Sequence, residues 1–157
     1  MNTYANRGSA LENLISMANS QYKSKHIARI DKVPTPASIQ GGFYKAKSTV
    51  DFTGVLNGGQ MISFDCKETS QKSLPLKNIH QHQIDYMEDI VNLGGYAFIV
   101  VNFKCFDTYY RLDFETLKQY WNVWKKGNGR ASIPITEFKT QVKQESKFVL
   151  HYLKGLV

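Results

Sequence analysis

The residues from Thr49 to Thr69 constrain this chain more than any other stretch. Thr49-Val-Asp51-Phe-Thr53-Gly-Val55 and Met61-Ile-Ser63-Phe-Asp65-Cys-Lys67-Glu68-Thr69 are rich in β-branched and aromatic residues and flank Asn57-Gly58-Gly59, which predicts a β-hairpin. Aspartate is depleted in strands, yet each run carries one, Asp51 and Asp65. Lys67 follows Asp65 by two, so both side chains fall on one face of a sheet. Hairpin register then decides what meets what. A three-residue turn sets Asp51 opposite Asp65, and all three groups converge; a two-residue turn sets it opposite Phe64 or Cys66, on the other face. The spacing predicts the three-residue turn Asn57-Gly58-Gly59, or a bulge of the same parity. Two carboxylates beside an ammonium suit a divalent cation held against a phosphodiester, because Mg²⁺ keeps several waters and binds through one or two carboxylates plus substrate phosphate. A turn-capping Asp51 with a solvated Asp65–Lys67 pair accounts for the same residues.

Length and charge narrow the class. The 157 residues, 42% of them hydrophobic, suffice for one α/β domain spanning 1–157. A net charge of +7 points to a polyanionic partner. Nucleic acid is favoured over membrane, because no run of 18 apolar residues and no signal-peptide core appears. Cys66 and Cys105 lie in expected strands without metal-site spacing and read as reduced core thiols of a cytoplasmic protein.

The remaining segments frame the hairpin. Ser9-Ala-Leu-Glu12 matches a capping box and opens a helix to about Tyr22, with Leu11, Leu14, Ile15 and Ala18 as its core stripe. Glu12 is then either the cap's partner or a third carboxylate of the site. A strand from His26 to Val33 should end at Pro34-Thr35-Pro36. The segment to Thr49, with Gly41-Gly42, Lys45 and Lys47, suggests an exposed loop or short hairpin whose lysines meet a phosphate backbone or simply solvent. After a loop over Ser70–Lys77, Asn78 can cap a helix running to Leu93, stopped by Gly94-Gly95. Gln83 falls on that helix's apolar face and must be hydrogen-bonded there. His80 and His82, two apart on a helix, should point in different directions and make poor metal ligands. Tyr96–Phe103 reads as a central strand buried on both faces, with Thr108–Leu112 as its neighbour. Leu117, Tyr120, Trp121 and Trp124 make an aromatic helical stripe that favours core or a dimer interface over base stacking. Lys125 to Arg130 is a basic turn, Thr136-Glu-Phe-Lys carries another cap signal, and Phe148–Leu153 must pack on the body or a partner.

Taken together these segments resemble a known family. Asn6-Arg7-Gly8 with Glu12, Lys32-Val-Pro34-Thr35-Pro36, Thr49-Val-Asp51-Phe-Thr-Gly54, Phe64-Asp65-Cys-Lys67-Glu68-Thr69, Leu76-Lys-Asn78-Ile-His80-Gln-His82-Gln83 and Asn128-Gly129-Arg130 look like the RecU-type Holliday junction resolvases of the PD-(D/E)XK superfamily. The resemblance implies a restriction-endonuclease-like fold, a mixed central β-sheet flanked by helices. It also implies a homodimeric nuclease of a bacterium or its phage, using Mg²⁺ with Mn²⁺ as substitute, that cuts four-way DNA junctions alongside recombination proteins. Carried over by position, Asp51 and Asp65 are the metal-binding acids and Lys67 the superfamily lysine. Glu12 is the acid of the first helix, a further metal-binding group, and Gln83 the polar residue of the helix behind the site. Arg7, Lys45, Lys47, Lys72, Lys125 and Arg130 are the expected DNA backbone contacts. Two departures stand out. Asp65 occupies a position where the family usually has Glu, and the stalk-like segment at about 37–49 is shorter than the family's. A less selective nuclease of the superfamily, or a DNA-binding recombination module without catalysis, are the competing readings.

Overall fold

Helix α1 (Ser9–Ser24) forms where the apolar stripe lies, and Leu11, Ile15, Ala18 and Tyr22 are all at most 1% exposed. We describe the protein from a computed structural model covering residues 9–34, 49–145 and 147–157. The Ser9 capping box, the lead-in at 1–8 and, apart from Thr49, the stalk-like segment lie outside what is described. Beyond α1 come β1 (Ala28–Lys32), β2 (Phe52–Leu56), β3 (Met61–Thr69), β4 (Ser73–Pro75), α2 (Gln81–Asn92) and β5 (Tyr96–Phe103). Then follow β6 (Thr108–Asp113), α3 (Phe114–Lys125), β7 (Ser132–Pro134) and β8 (Thr140–Val142). The main sheet runs β1-β2-β3-β5-β6-β8, while β4 and β7 pair as a separate ribbon. Among the described residues only β3 and β5 pair in parallel; the other contacts are antiparallel, so the sheet is mixed and flanked by helices as expected.

Register is the decisive feature. Leu56 donates its N–H to the Gln60 carbonyl across Asn57-Gly58-Gly59, a three-residue turn in which both glycines have positive φ. Phe52 pairs with Phe64, and Phe64 with Phe98, so three rings stack across β2, β3 and β5 at 5.1 and 4.8 Å between centroids. Such cross-strand aromatic contacts hold a register against a one-residue slip. Asp51 precedes Phe52 and Asp65 follows Phe64, so the same ladder that stacks the phenylalanines sets the two acids opposite each other.

The sheet divides two apolar layers. On one side α2 and α3 pack Ile84, Met87, Leu117 and Trp121 against Ile99, Val101 and Phe103. On the other, α1 covers Phe52, Phe64, Phe98 and Val100, together with Leu150, Tyr152 and Leu153 from the C-terminal tail. Strand β5 therefore buries alternate residues in both layers, and the aromatic stripe of α3 is core, with Tyr120 and Trp124 at its margin.

Four expectations need correction. Helix α2 starts at Gln81 with His80 as N-cap, because Leu76–Asn78 close a 3₁₀ turn and Asn78 cannot then cap. With His80 outside the helix, its ring and that of His82 do not diverge but stack, 5.6 Å apart and 8° from parallel. The cap signal at Thr136 yields only a 3₁₀ turn, Ile135–Glu137, before β8 pairs with β6. Cys105 is exposed on the 3₁₀ turn after β5, outside any strand, whereas Cys66 is half-buried in β3.

Candidate active site

The C-terminal half of β3 opens into a cleft of about 1180 Å³, above the roughly 300–1,000 Å³ of small-ligand pockets. Glu12, Asp51, Asp65, Lys67 and Gln83 all line it. They arrive from both layers: α1 brings Glu12 from one side of the sheet, α2 brings Gln83 from the other, and the hairpin supplies the rest. The backbone of Asp51 is fixed by the Val33 N–H, which donates to its carbonyl at 2.7 Å.

The electrostatics explain what such a site needs. Asp65 is 2% exposed, and the Lys67 ammonium lies 2.7 Å from its Oδ2. That contact is an ion pair without an aligned hydrogen bond, and Oδ2 remains a buried oxygen with no donor directed at it. The Asp51 carboxyl hydrogen-bonds Asp65 and also accepts the Cys66 N–H at 2.8 Å. Burial first, then the neighbouring Asp65 charge, push Asp51 up to about 8. The half-buried Asp51 and the buried Asp65 stand opposite each other in the hairpin register, and a proton or a cation between them relieves their repulsion. Burial likewise raises the Cys66 thiol well above its usual range, so it is no nucleophile.

The donor set is oxygen-rich, which fits a hard divalent cation rather than zinc. Among the described residues no three His, Cys, Asp or Glu groups form a ready-made cage. The fit is therefore to an ion that keeps waters and uses few carboxylates, with Asp65 Oδ2, which makes no hydrogen bond, beside the Lys67 ammonium. Glu12 is on the cleft but engaged by Lys32, whose ammonium donates to Oε2 at 2.6 Å. Gln83, 6% exposed, accepts the His80 N–H at 3.2 Å and so caps α2 while lining the same cleft as the acids.

A family profile described as Recombination protein U matches residues 6–157. The chain belongs to the RecU family. A Holliday junction resolvase RecU of Bacillus cereus (strain B4264) is 37% identical over 151 residues, covering 87% of this chain and 74% of that protein. The protein of the same name from Oenococcus oeni is 37% identical over 170 aligned positions, covering 98% of this chain and 85% of its own. The solved structure of Archaeoglobus fulgidus Hjc, a Holliday junction resolvase, aligns at a TM-score of 0.42 with 10% identity over 68% of this chain and 74% of that one, too distant to add to the assignment.

Within this RecU-family chain the expected DNA contacts are scattered. Arg7, Lys45 and Lys47 lie outside the described residues. Lys72 is exposed on the turn between β3 and β4, and Arg130 is exposed ahead of β7. Lys125 lies over the rings of Trp121 and Trp124, at 4.8 and 4.7 Å. Sequence reasoning missed three cleft residues, Glu68, Lys77 and Lys104. Glu68 and Lys104 pair at 3.0 Å because the parallel register brings the ends of β3 and β5 side by side. No local pattern reports that meeting, whereas Lys77 sits inside the Leu76–Gln83 stretch that carries the family resemblance. No helix of the described residues is long and apolar enough to cross a membrane.

Proposed function

We propose that this chain resolves four-way DNA junctions by hydrolysing phosphodiesters with a divalent cation, Mg²⁺ or its substitute Mn²⁺. The observation that carries the reading is the meeting of Asp51, Asp65 and Lys67 in one cleft, with the Lys67 ammonium against a buried carboxylate oxygen, in a chain of the RecU family.

Asp51 and Asp65 would hold the cation, and it would replace the proton that the two carboxyls otherwise share. When bound, such an ion supplies a Lewis acid for the scissile phosphate and lowers the pKa of the attacking water. The chain's own groups do the rest. Lys67 is half-enclosed beside Asp65 and stabilises charge that develops on the phosphate, where low dielectric strengthens its effect. Glu12, which lines the cleft from α1 and is paired with Lys32, would add a carboxylate as a further metal-binding group or hold water. Gln83 keeps the N-terminus of α2 at the cleft by capping it. Lys72, Lys125 and Arg130, with Arg7, Lys45 and Lys47, supply sequence-independent contacts to the backbone.

Two such clefts related by a two-fold axis match the symmetry of a four-way junction, so we place one site in each subunit of a homodimer acting in the cytoplasm. The test is a mobile four-way junction incubated with Mg²⁺ beside a linear duplex. Wild type should nick the junction symmetrically and spare the duplex, while Asp65→Ala should bind the junction and lose cutting by at least about 10³-fold. Cutting by Asp65→Ala at the wild-type rate would refute the assignment, and equal cutting of duplex would leave a nuclease without junction selectivity.

A further inference from the structure

We infer that Lys77 is a DNA-binding residue of the cleft, its ammonium taking a phosphodiester of the strand being cut. The inference rests on the nuclease reading above and assigns a part of the substrate to a residue that reading left aside.

Among the described residues three lysines line the cleft, Lys67, Lys77 and Lys104. Two of them are engaged: Lys67 with Asp65 at 2.7 Å and Lys104 with Glu68 at 3.0 Å. Glu12 is likewise met by Lys32. Lys67 already serves Asp65 and the scissile phosphate, and a further phosphate that recruited Lys104 would strip Glu68 of its counter-charge while bringing a second negative charge beside it. Lys77 forms no ion pair with any described acid, so it can meet a phosphate without that exchange.

The backbone under Lys77 is held on both sides. Leu76 is fully buried and its N–H donates to the Ala131 carbonyl at 2.9 Å. Ile79 is 2% exposed and its N–H returns to the Leu76 carbonyl at 3.0 Å. Pro75, at φ −65°, sets the entry to the turn, and its strand is paired to β7. Lys77 itself is exposed. A turn hydrogen-bonded on both sides thus carries an exposed cation at the cleft, just ahead of α2, whose N-terminal dipole adds potential of the same sign. Lysines elsewhere on this basic surface, such as Lys23 near the far end of α1, do not line the cleft.

The experiment compares wild type, Lys77→Ala, Lys77→Arg and Lys23→Ala. Junction affinity is measured against salt in EDTA, and kcat and KM are measured with Mg²⁺. Lys77→Ala should weaken binding about tenfold, the effect of one charge-assisted hydrogen bond. It should also lower the slope of log affinity against log salt by about one, and raise KM while kcat stays within about twofold. Lys77→Arg should restore the slope, and Lys23→Ala should leave it unchanged. A Lys77→Ala protein with the wild-type slope and KM would overturn the inference, as would equal losses in Lys23→Ala. Wild type that binds junctions but cuts none would sink the nuclease reading, and the salt slope would still decide Lys77.

Discussion

Asp51 is the residue whose state reports on the site. Its carboxyl is raised to about 8 in the folded chain from the ordinary 3.8, so between those values the native state holds a proton that the unfolded state has lost. Stability therefore falls as pH rises through that window, because it falls wherever the native state binds more protons. In EDTA the melting temperature should drop from about pH 4 to pH 8, and Asp51→Asn should remove that component of the slope. A divalent cation should flatten the wild-type profile, since it takes the proton's place. Thermal scans across pH check all three expectations, and an Asp51→Asn profile parallel to wild type would contradict them.

At the scale of elements, the antiparallel strands β1 and β2 show how narrowly the site is built. A Cβ on Gly54 would lie 2.1 Å from the Arg29 carbonyl oxygen and 2.6 Å from Ile30 Cα. Both are backbone atoms of β1, which cannot step aside as a side chain can. Gly54→Ala should cost about 3 kcal/mol of stability in denaturant unfolding. It should also displace Lys32 from Glu12, which a loss of cleavage larger than the stability loss would reveal. The hairpin itself was legible: its turn residues and its alternation predicted the parity that joins Asp51 to Asp65, and the phenylalanine ladder delivers it. The stripe of α1 and the doubly buried β5 were legible for the same reason, since periodicity reports burial. What escaped was decided by distant pairing. Ser73–Pro75 read as loop because its partner is β7, some sixty positions away, and that ribbon moves the start of α2 to Gln81. Cys105 reads as a strand thiol until the chain turns at Lys104, the residue Glu68 holds at the cleft.

Across the whole molecule, the C-terminal tail ties the two ends of the described chain together. Arg111 of β6, 7% exposed, donates from Nη1 to the carbonyls of Tyr152 and Lys154 at 3.0 and 2.7 Å. The tail then reaches α1, where the Tyr22 hydroxyl meets His151 Nδ1 at 2.8 Å and receives the Leu153 N–H at 3.2 Å. Tyr152 completes the clasp by donating its hydroxyl to Asn19. Arg111→Ala leaves the buried Tyr152 carbonyl and the part-buried Lys154 carbonyl without this donor and should cost about 3 kcal/mol. Hydrogen exchange at residues 150–155 should then accelerate ahead of β5; uniform acceleration would mean the tail is no separate unit.

The clasp joins positions 128 to 133 apart in the chain, from α1 to the tail. A ribosome making this protein emits Glu12, Asp51, Asp65 and Lys67 long before it emits the residues that fasten α1 to the sheet. A nascent polypeptide thus carries every reactive group before it carries the clasp on α1. A premature stop codon just beyond position 145 would accordingly remove the clasp without touching one side chain of the cleft.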